Sequence, residues 1–294
     1  MRSRWTTGAG IIGAVAVVMS AVQIMPIPSA HAADCADAEV VFARGTTEDP
    51  GPGPNGQAFV DALRSRVSPK SVATYAVDYP ATTDFATAVI GISDARAHIL
   101  ATAASCPQTK MVLGGFSQGA AVMGFVTADV VPEGVSPLDV PAPMPPDIAD
   151  QIAAVALFGK PSSRFMRAIS DPQITIGSLY TAKTIDLCVD NDLVCDPHGS
   201  SFAVHTRYDE SGMIEQGASF AANQLQSAWA ADAAASAAAA AAPPTDAPAA
   251  HLPASGTAGP VGPTGPTAAP SEHLPSGPPP PLGPETSVTT TPPV

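Results

Sequence analysis

"LGGFSQGAAV", Leu113 to Val122, sets a serine between glycines at two-residue spacing: Gly115, Ser117 and Gly119. An apolar run, Lys110 to Gly115, leads into it, and a stretch with helical spacing, Gly119 to Val130, leads away. A strand that turns sharply into a helix needs this composition. The glycines admit the tight backbone, Ser117 projects above the sheet, and the N–H of Gln118 at the helix start is free to face an anion. A G-x-S-x-G match alone recurs by chance, so the rest of the chain has to supply a base, an acid and a place for an oxyanion.

Outward from this turn the chain alternates. Ala38 to Arg44, Ser71 to Tyr79, Lys110 to Gly115, Ile152 to Gly159 and Ala182 to Leu187 are short runs rich in Val, Ile and Leu, the pattern of strands buried on both faces. Between them lie helical stretches: Gly56 to Val67, then Phe85 to Ser105 with Ile92, Ala95, Ile99 and Ala103 on one face. Tyr208 to Trp229 follows the fifth strand, with Ile214, Ala218, Ala221 and Leu225 on one side. The alternation predicts a three-layer α/β/α sandwich on a mainly parallel five-stranded sheet. Such sheets carry their sites at the carboxyl ends of the strands.

Both ends of the chain differ from this middle. Residues 1–32 hold Arg2 and Arg4, an apolar run and then Ala30-His31-Ala32, which reads as a secretory signal cut after Ala32. The run is short for a membrane span, so no stable membrane insertion is expected after cleavage. Residues 231–294 hold 16 of the 33 prolines and no lysine or arginine, too little apolar surface to offset chain entropy. That composition predicts a disordered tail, suited to a cell-wall spacer or to an inert extension, with the alanine run extending the last helix. The domain itself is then residues 33–230, long enough for one well-buried core. The protein is expected outside the cell, in places associated with the cell wall, and as a monomer.

Charge and cysteine usage narrow the function. Loss of Arg2 and Arg4 leaves eleven of the 13 basic residues against 26 acidic ones, a net of about −15. Such a surface argues against nucleic acid and anionic lipid as electrostatic partners. Four cysteines, Cys35, Cys106, Cys188 and Cys195, in an exported chain suggest two disulfides, for which three pairings exist. Cys188 and Cys195 are close enough in sequence to close a small loop, leaving Cys35 with Cys106. No C-x-x-C or clustered histidine spacing points to zinc, and neither a metal nor an organic cofactor is called for.

An elbow serine is followed in the chain by its acid and then its histidine. His31 lies in the signal, His98 upstream, and His251 and His273 in the tail. His198 and His205 remain, with Asp186, Asp190, Asp192 and Asp196 around them, and spacing alone does not choose among these.

"GFSQG" at Gly115–Gly119, "CVDNDLVC" at Cys188–Cys195, a histidine ten residues after the second cysteine, and "FARGTTE" at Phe42–Glu48 together resemble the cutinases, in particular secreted bacterial cutinase-like esterases. The resemblance spans about Cys35 to Trp229 and covers neither end. It implies an α/β-hydrolase fold, Ser117 as nucleophile, Asp192 as acid and His205 as base, with oxyanion donors at Gln118 and Thr46. His198 matches no catalytic position. It also implies the pairings Cys35 with Cys106 and Cys188 with Cys195, and it brings Phe85, Phe202 and Val204 to loops that flank the cleft, as substrate contacts in an apolar groove or as packing against the core. The proline-rich stretch Val131 to Asp147 is expected to rim the site. The implied activity is hydrolysis of carboxylic esters with short or medium acyl chains, the physiological target being a lipid or a cutin-like polyester. The alternatives are acyl transfer, thioester hydrolysis or phospholipid cleavage by the same triad, and a non-catalytic cell-wall binding protein.

Overall fold

A computed structural model describes residues 35–241 of the chain. Five strands form one sheet: β1 (Ala38–Ala43), β2 (Val72–Ala76), β3 (Lys110–Phe116), β4 (Ile152–Phe158) and β5 (Thr184–Leu187). Their spatial order is β2-β1-β3-β4-β5, and every pair is parallel. Parallel neighbours require crossovers, which the helical stretches supply.

Side-chain alternation divides the sheet into two cores. Val41, Ala43, Met111, Leu113, Val155 and Leu157 face one way, onto α2 (Ala88–Ser105) and α3 (Gln118–Val126). Val40, Phe42, Val112, Ala154, Ala156 and Phe158 face the other, onto α1 (Gly53–Val67) and the long terminal helix. Residues at period two thus point to opposite faces of a sheet covered on both sides. The strands read as continuous apolar runs for that reason.

The helical faces follow the expected spacing with one exception. Ala95, Ile99 and Ala103 are buried against the sheet, while Ile92 is half-buried and turns toward a cleft. Phe85–Thr87 forms a separate 3₁₀ turn ahead of α2. After β4 come two short helices, α4 (Ser163–Ala168) and α5 (Ser178–Thr181), and after β5 a single turn, α6 (Phe202–His205). The last helix, α7, runs from Met213 to Ala241 and buries Ile214, Ala218, Ala221 and Leu225. It begins after Gly212, whose φ of 77° stops helix from extending back to Tyr208. It also continues through residues 231–241, the alanine run at the start of the segment assigned to the tail, as alanine's high helix propensity favours. The signal segment and the remainder of the tail lie outside the described residues. Among the described residues, no helix is long and apolar enough to cross a membrane.

Candidate active site

The strand β3 ends at Phe116 and α3 begins at Gln118, leaving Ser117 alone in the turn at φ 54°, ψ −117°. That backbone region is costly for a residue with a side chain, on the order of 1–3 kcal/mol. The surroundings hold it there. Ser117 N donates to Phe158 O at 2.9 Å, and the two glycines permit a close approach nothing larger allows. A Cβ on Gly115 would lie 2.3 Å from Gly119 O, and one on Gly119 would lie 2.0 Å from Ala43 O. The G-x-S-x-G spacing is therefore a record of backbone packed on backbone.

Ser117 Oγ lies 2.7 Å from His205 Nε2, and His205 Nδ1 lies 2.7 Å from Asp192 Oδ2. His205 closes the one-turn helix α6, which Ser201 caps by accepting from Val204 N. The ring stacks on Phe116, with centroids 5.1 Å apart. Asp192 is fully buried. Its Oδ1 accepts from Val194 N at 2.8 Å, and its Oδ2 accepts from Tyr208 Oη at 2.9 Å as well as facing His205. Burial pushes this carboxyl up, but the His205 contact, the Val194 N–H and Tyr208 together outweigh it and leave it below the ordinary carboxylate range. Asp192 thus stays ionised and keeps the proton of the imidazole on Nδ1. Nε2 is then left to accept from the serine hydroxyl.

The remaining candidates of this region have other duties. Asp186 pairs with Lys160 at 3.1 Å, and Asp190 is exposed. Asp196 accepts from the N–H groups of Asn191 and His198, which leaves His198 an exposed turn residue. His98 faces Glu39 at 3.1 Å, beneath the sheet's other edge. Disulfides join Cys35 to Cys106 and Cys188 to Cys195. Cys188, Asp192 and Cys195 lie close enough together to suggest a metal ligand set, but both sulfurs are bonded to each other and the carboxylate is taken by His205, Val194 and Tyr208.

Thr46 and Gln118, from opposite sides of the turn, are tied together: Thr46 Oγ1 donates to Gln118 Oε1 at 3.2 Å, and Gln118 Nε2 donates to Thr82 O at 3.2 Å. Below Thr46 the "ARGTTE" loop is clasped by its own ends. Arg44 Nε donates to Glu48 O at 2.8 Å and its Nη2 to Tyr79 O at 2.6 Å, while the Glu48 carboxylate accepts from Gly45 N at 2.7 Å. Burial pushes the Glu48 carboxyl up, against the Gly45 N–H and the Arg44 charge. Such contacts tie the loop that carries Thr46 to the start of α3.

A cleft of about 890 Å³ opens at Ser117. Phe85 and Phe202 line it, as do Val131, Pro132, Val135 and residues 139–143 from the proline-rich stretch 131–147, whose last four residues do not reach it. Val204 does not line it. Residues two apart on a helix point away from each other, so Phe202 and His205 share the cleft face of α6 while Val204 is turned aside. The arrangement can pass a proton from serine to imidazole beside two backbone donors and an apolar channel, which suits acyl transfer.

Sequence reasoning did not single out Tyr208, Phe116, or the roles of Arg44, Glu48 and Tyr79. Only Arg44 and Glu48 had a signal available, as charged residues inside the quoted "FARGTTE".

A family model described as Cutinase matches residues 34–225. "Probable carboxylesterase Culp5" of Mycobacterium tuberculosis strain H37Rv is 58% identical over 174 residues, covering 59% of this chain and 99% of that one. "Carboxylesterase Culp1" of the same strain is 46% identical over 223 residues, covering 74% of this chain and 96% of that one. Among solved structures, Trichoderma reesei cutinase in complex with a C11Y4 phosphonate inhibitor aligns with a TM-score of 0.50 at 27% identity, covering 65% of this chain and 77% of the other.

Proposed function

This chain belongs to the cutinase family and is a carboxylic ester hydrolase, and from that premise we propose that it is an exported serine esterase acting through Ser117, His205 and Asp192. His205 takes the proton as Ser117 attacks the ester carbonyl. Asp192 holds the imidazole in place and stabilises its charged form. The N–H groups of Thr46 and Gln118 meet the negative charge that develops on the carbonyl oxygen, each such donor lowering the barrier by about 3–4 kcal/mol. The alcohol leaves with the proton from His205, and water then repeats the sequence on the acyl-enzyme.

One observation carries this reading: the unbroken line of contacts at 2.7 Å from Ser117 Oγ through His205 to a buried Asp192. The apolar cleft supports acyl esters as substrate, lipid or polyester among them, and two disulfides support an oxidising compartment. A binding protein without catalysis has no use for a strained serine facing such a pair.

The test is hydrolysis of p-nitrophenyl esters from acetate to palmitate, with Ser117→Ala alongside. Turnover is expected in the short to medium range and lost by about 10⁴-fold or more in the variant. Turnover that persists in folded Ser117→Ala would refute the assignment. Added alcohols that divert the acyl group away from water would move the reading to acyl transfer.

A further inference from the structure

One wall of the cleft is the face of α2 that carries Ala88, Val89, Ile92 and Arg96, residues at helical spacing. The opposite wall is α3, from Ser117 through Ala121 to Phe125. Both helices start at the carboxyl edge of the sheet and run down the same face of it. Depth along one can therefore be read against depth along the other. Arg96 lies about 12 Å beyond Ala88 at 1.5 Å per residue, level with the end of α3, and its side chain leans back toward the helix start. Its guanidinium thus sits roughly 10 Å from the level of Ser117.

Among the described residues, Arg96 is the one lysine or arginine lining the cleft; the other ionisable side chains there are the carboxylates Glu48, Asp139, Asp171 and Asp209, and His205. Among the described residues its Nε is buried with no hydrogen-bond partner, and its side chain makes no hydrogen bond or ion pair. The two other arginines that are buried or half-buried behave differently. Arg44 donates to Glu48 O, Val77 O and Tyr79 O, and Arg66 donates to Ser219, Ala62 O and Glu215. Native proteins pair nearly all buried polar groups. A planar fork of five donors beside an apolar channel suits the bidentate recognition of a carboxylate or phosphate. In a protein of net charge −13, and beside four carboxylates in the same cleft, it is the fixed positive charge with which an anion in this channel would pair.

We infer that Arg96 forms an anion subsite at the far end of the cleft, selecting esters that carry a carboxylate or phosphate roughly 10 Å from the scissile carbonyl. An extended carbon chain advances roughly 1.2 Å per bond, so a medium acyl chain with an acidic end reaches it. The inference rests on the proposed serine esterase, since it takes Ser117 as the reacting end.

The experiment compares kcat/KM for p-nitrophenyl hydrogen suberate with that for p-nitrophenyl octanoate, and for dihexanoyl phosphatidic acid with that for dihexanoylglycerol, in the wild-type chain, Arg96→Met and Arg96→Lys. The anionic-to-neutral ratio is expected to fall tenfold or more in Arg96→Met and to be partly kept in Arg96→Lys. The pair in which it falls tells whether the anion is a chain-end carboxylate or a phosphate headgroup. An unchanged ratio in both pairs, or equal losses on charged and neutral esters as a purely structural role would give, overturns the subsite. Binding of monomethyl suberate against methyl octanoate to Ser117→Ala, with and without Arg96→Met, reads the same ratio without turnover. Failure of the esterase assignment and failure of the subsite are thereby separated.

Discussion

Around Ser117 the backbone is packed directly on backbone: Gly115 against Gly119, Gly119 against Ala43, and Ser117 N on Phe158 O. The stretch from Cys188 to His205, which carries Asp192 and His205, packs backbone on backbone only within its own turns: a Cβ on Gly199 would lie 2.0 Å from Asp192 O, and Ser200 N and Ser201 N donate to Asn191 O. It is held by one disulfide, by Asp196 gathering two N–H groups, and by Asp192 gathering Val194 N, His205 and Tyr208. One half of the site is fixed by the sheet's own sterics. The other is fixed off the sheet, by its own turns, by side chains and by a covalent staple, so the two halves should fail differently when disturbed.

The largest effect is expected at the acid. Asp192→Asn presents an amide where the imidazole needs a carboxylate, and kcat should fall by about 10⁴-fold while the elbow stays in place. The same variant reports on pH. Because folding holds the Asp192 carboxyl below its usual range, its contribution to stability is complete above the unfolded pKa and is lost as pH falls through the lower folded value. The stability advantage of wild type over Asp192→Asn should therefore shrink only below about pH 4. A gap in urea midpoints that closes near neutrality would contradict this.

At the elbow the damage should appear in folding first. Gly119→Ala drives a methyl into Ala43 O, and a loss of about 3 kcal/mol is expected by denaturant titration. A variant with wild-type stability would show that the elbow has slack the packing denies.

Reduction of Cys188–Cys195 comes next. Opening the bridge should release the Asp192 loop at a cost of about 2 kcal/mol, so esterase activity should fall at lower reductant concentration than the far-ultraviolet signal of the sheet. Coincident loss of both would mean that the staple serves the whole fold.

The smallest effect is expected from Tyr208→Phe. It removes one hydrogen bond to Asp192 and keeps the ring against Phe116, so a loss of about 1.4 kcal/mol and a roughly tenfold drop in kcat/KM are expected. Its distinguishing sign is that Asp192, deprived of that donor, should titrate at higher pH. If acid unfolding is unchanged, Tyr208 is packing alone.

The difference between the halves also explains what was legible in advance. Continuous apolar runs and helical spacing disclosed five strands, their crossovers and the buried faces of α2 and α7, because burial against a sheet covered on both sides imposes those patterns directly. Ser117 was legible for the same local reason, since glycines at that spacing answer a constraint within one turn. Of Phe85, Phe202 and Val204 only Val204 does not line the cleft, because loop proximity says nothing about the direction a residue takes on a single helical turn. Tyr208 carried no signal, because a buried tyrosine at the start of a helical stretch reads as core.

By its own local chemistry, then, the sequence determined the layered fold, the elbow, the two disulfides as a set and an acidic surface. Among Asp186, Asp190, Asp192 and Asp196 the residues themselves do not discriminate, and a resemblance to known proteins was needed to single out Asp192. Its distinction in physical terms belongs to the tertiary structure: it alone of the four is fully buried, facing an imidazole, a phenol and a backbone N–H drawn from three parts of the loop. The same holds for Arg96, whose place opposite α3 and lack of partners emerge only when two helices meet on one face of the sheet. Periodicity encodes which side of an element is buried, whereas the partners a buried charge will find depend on contacts between segments far apart in the chain.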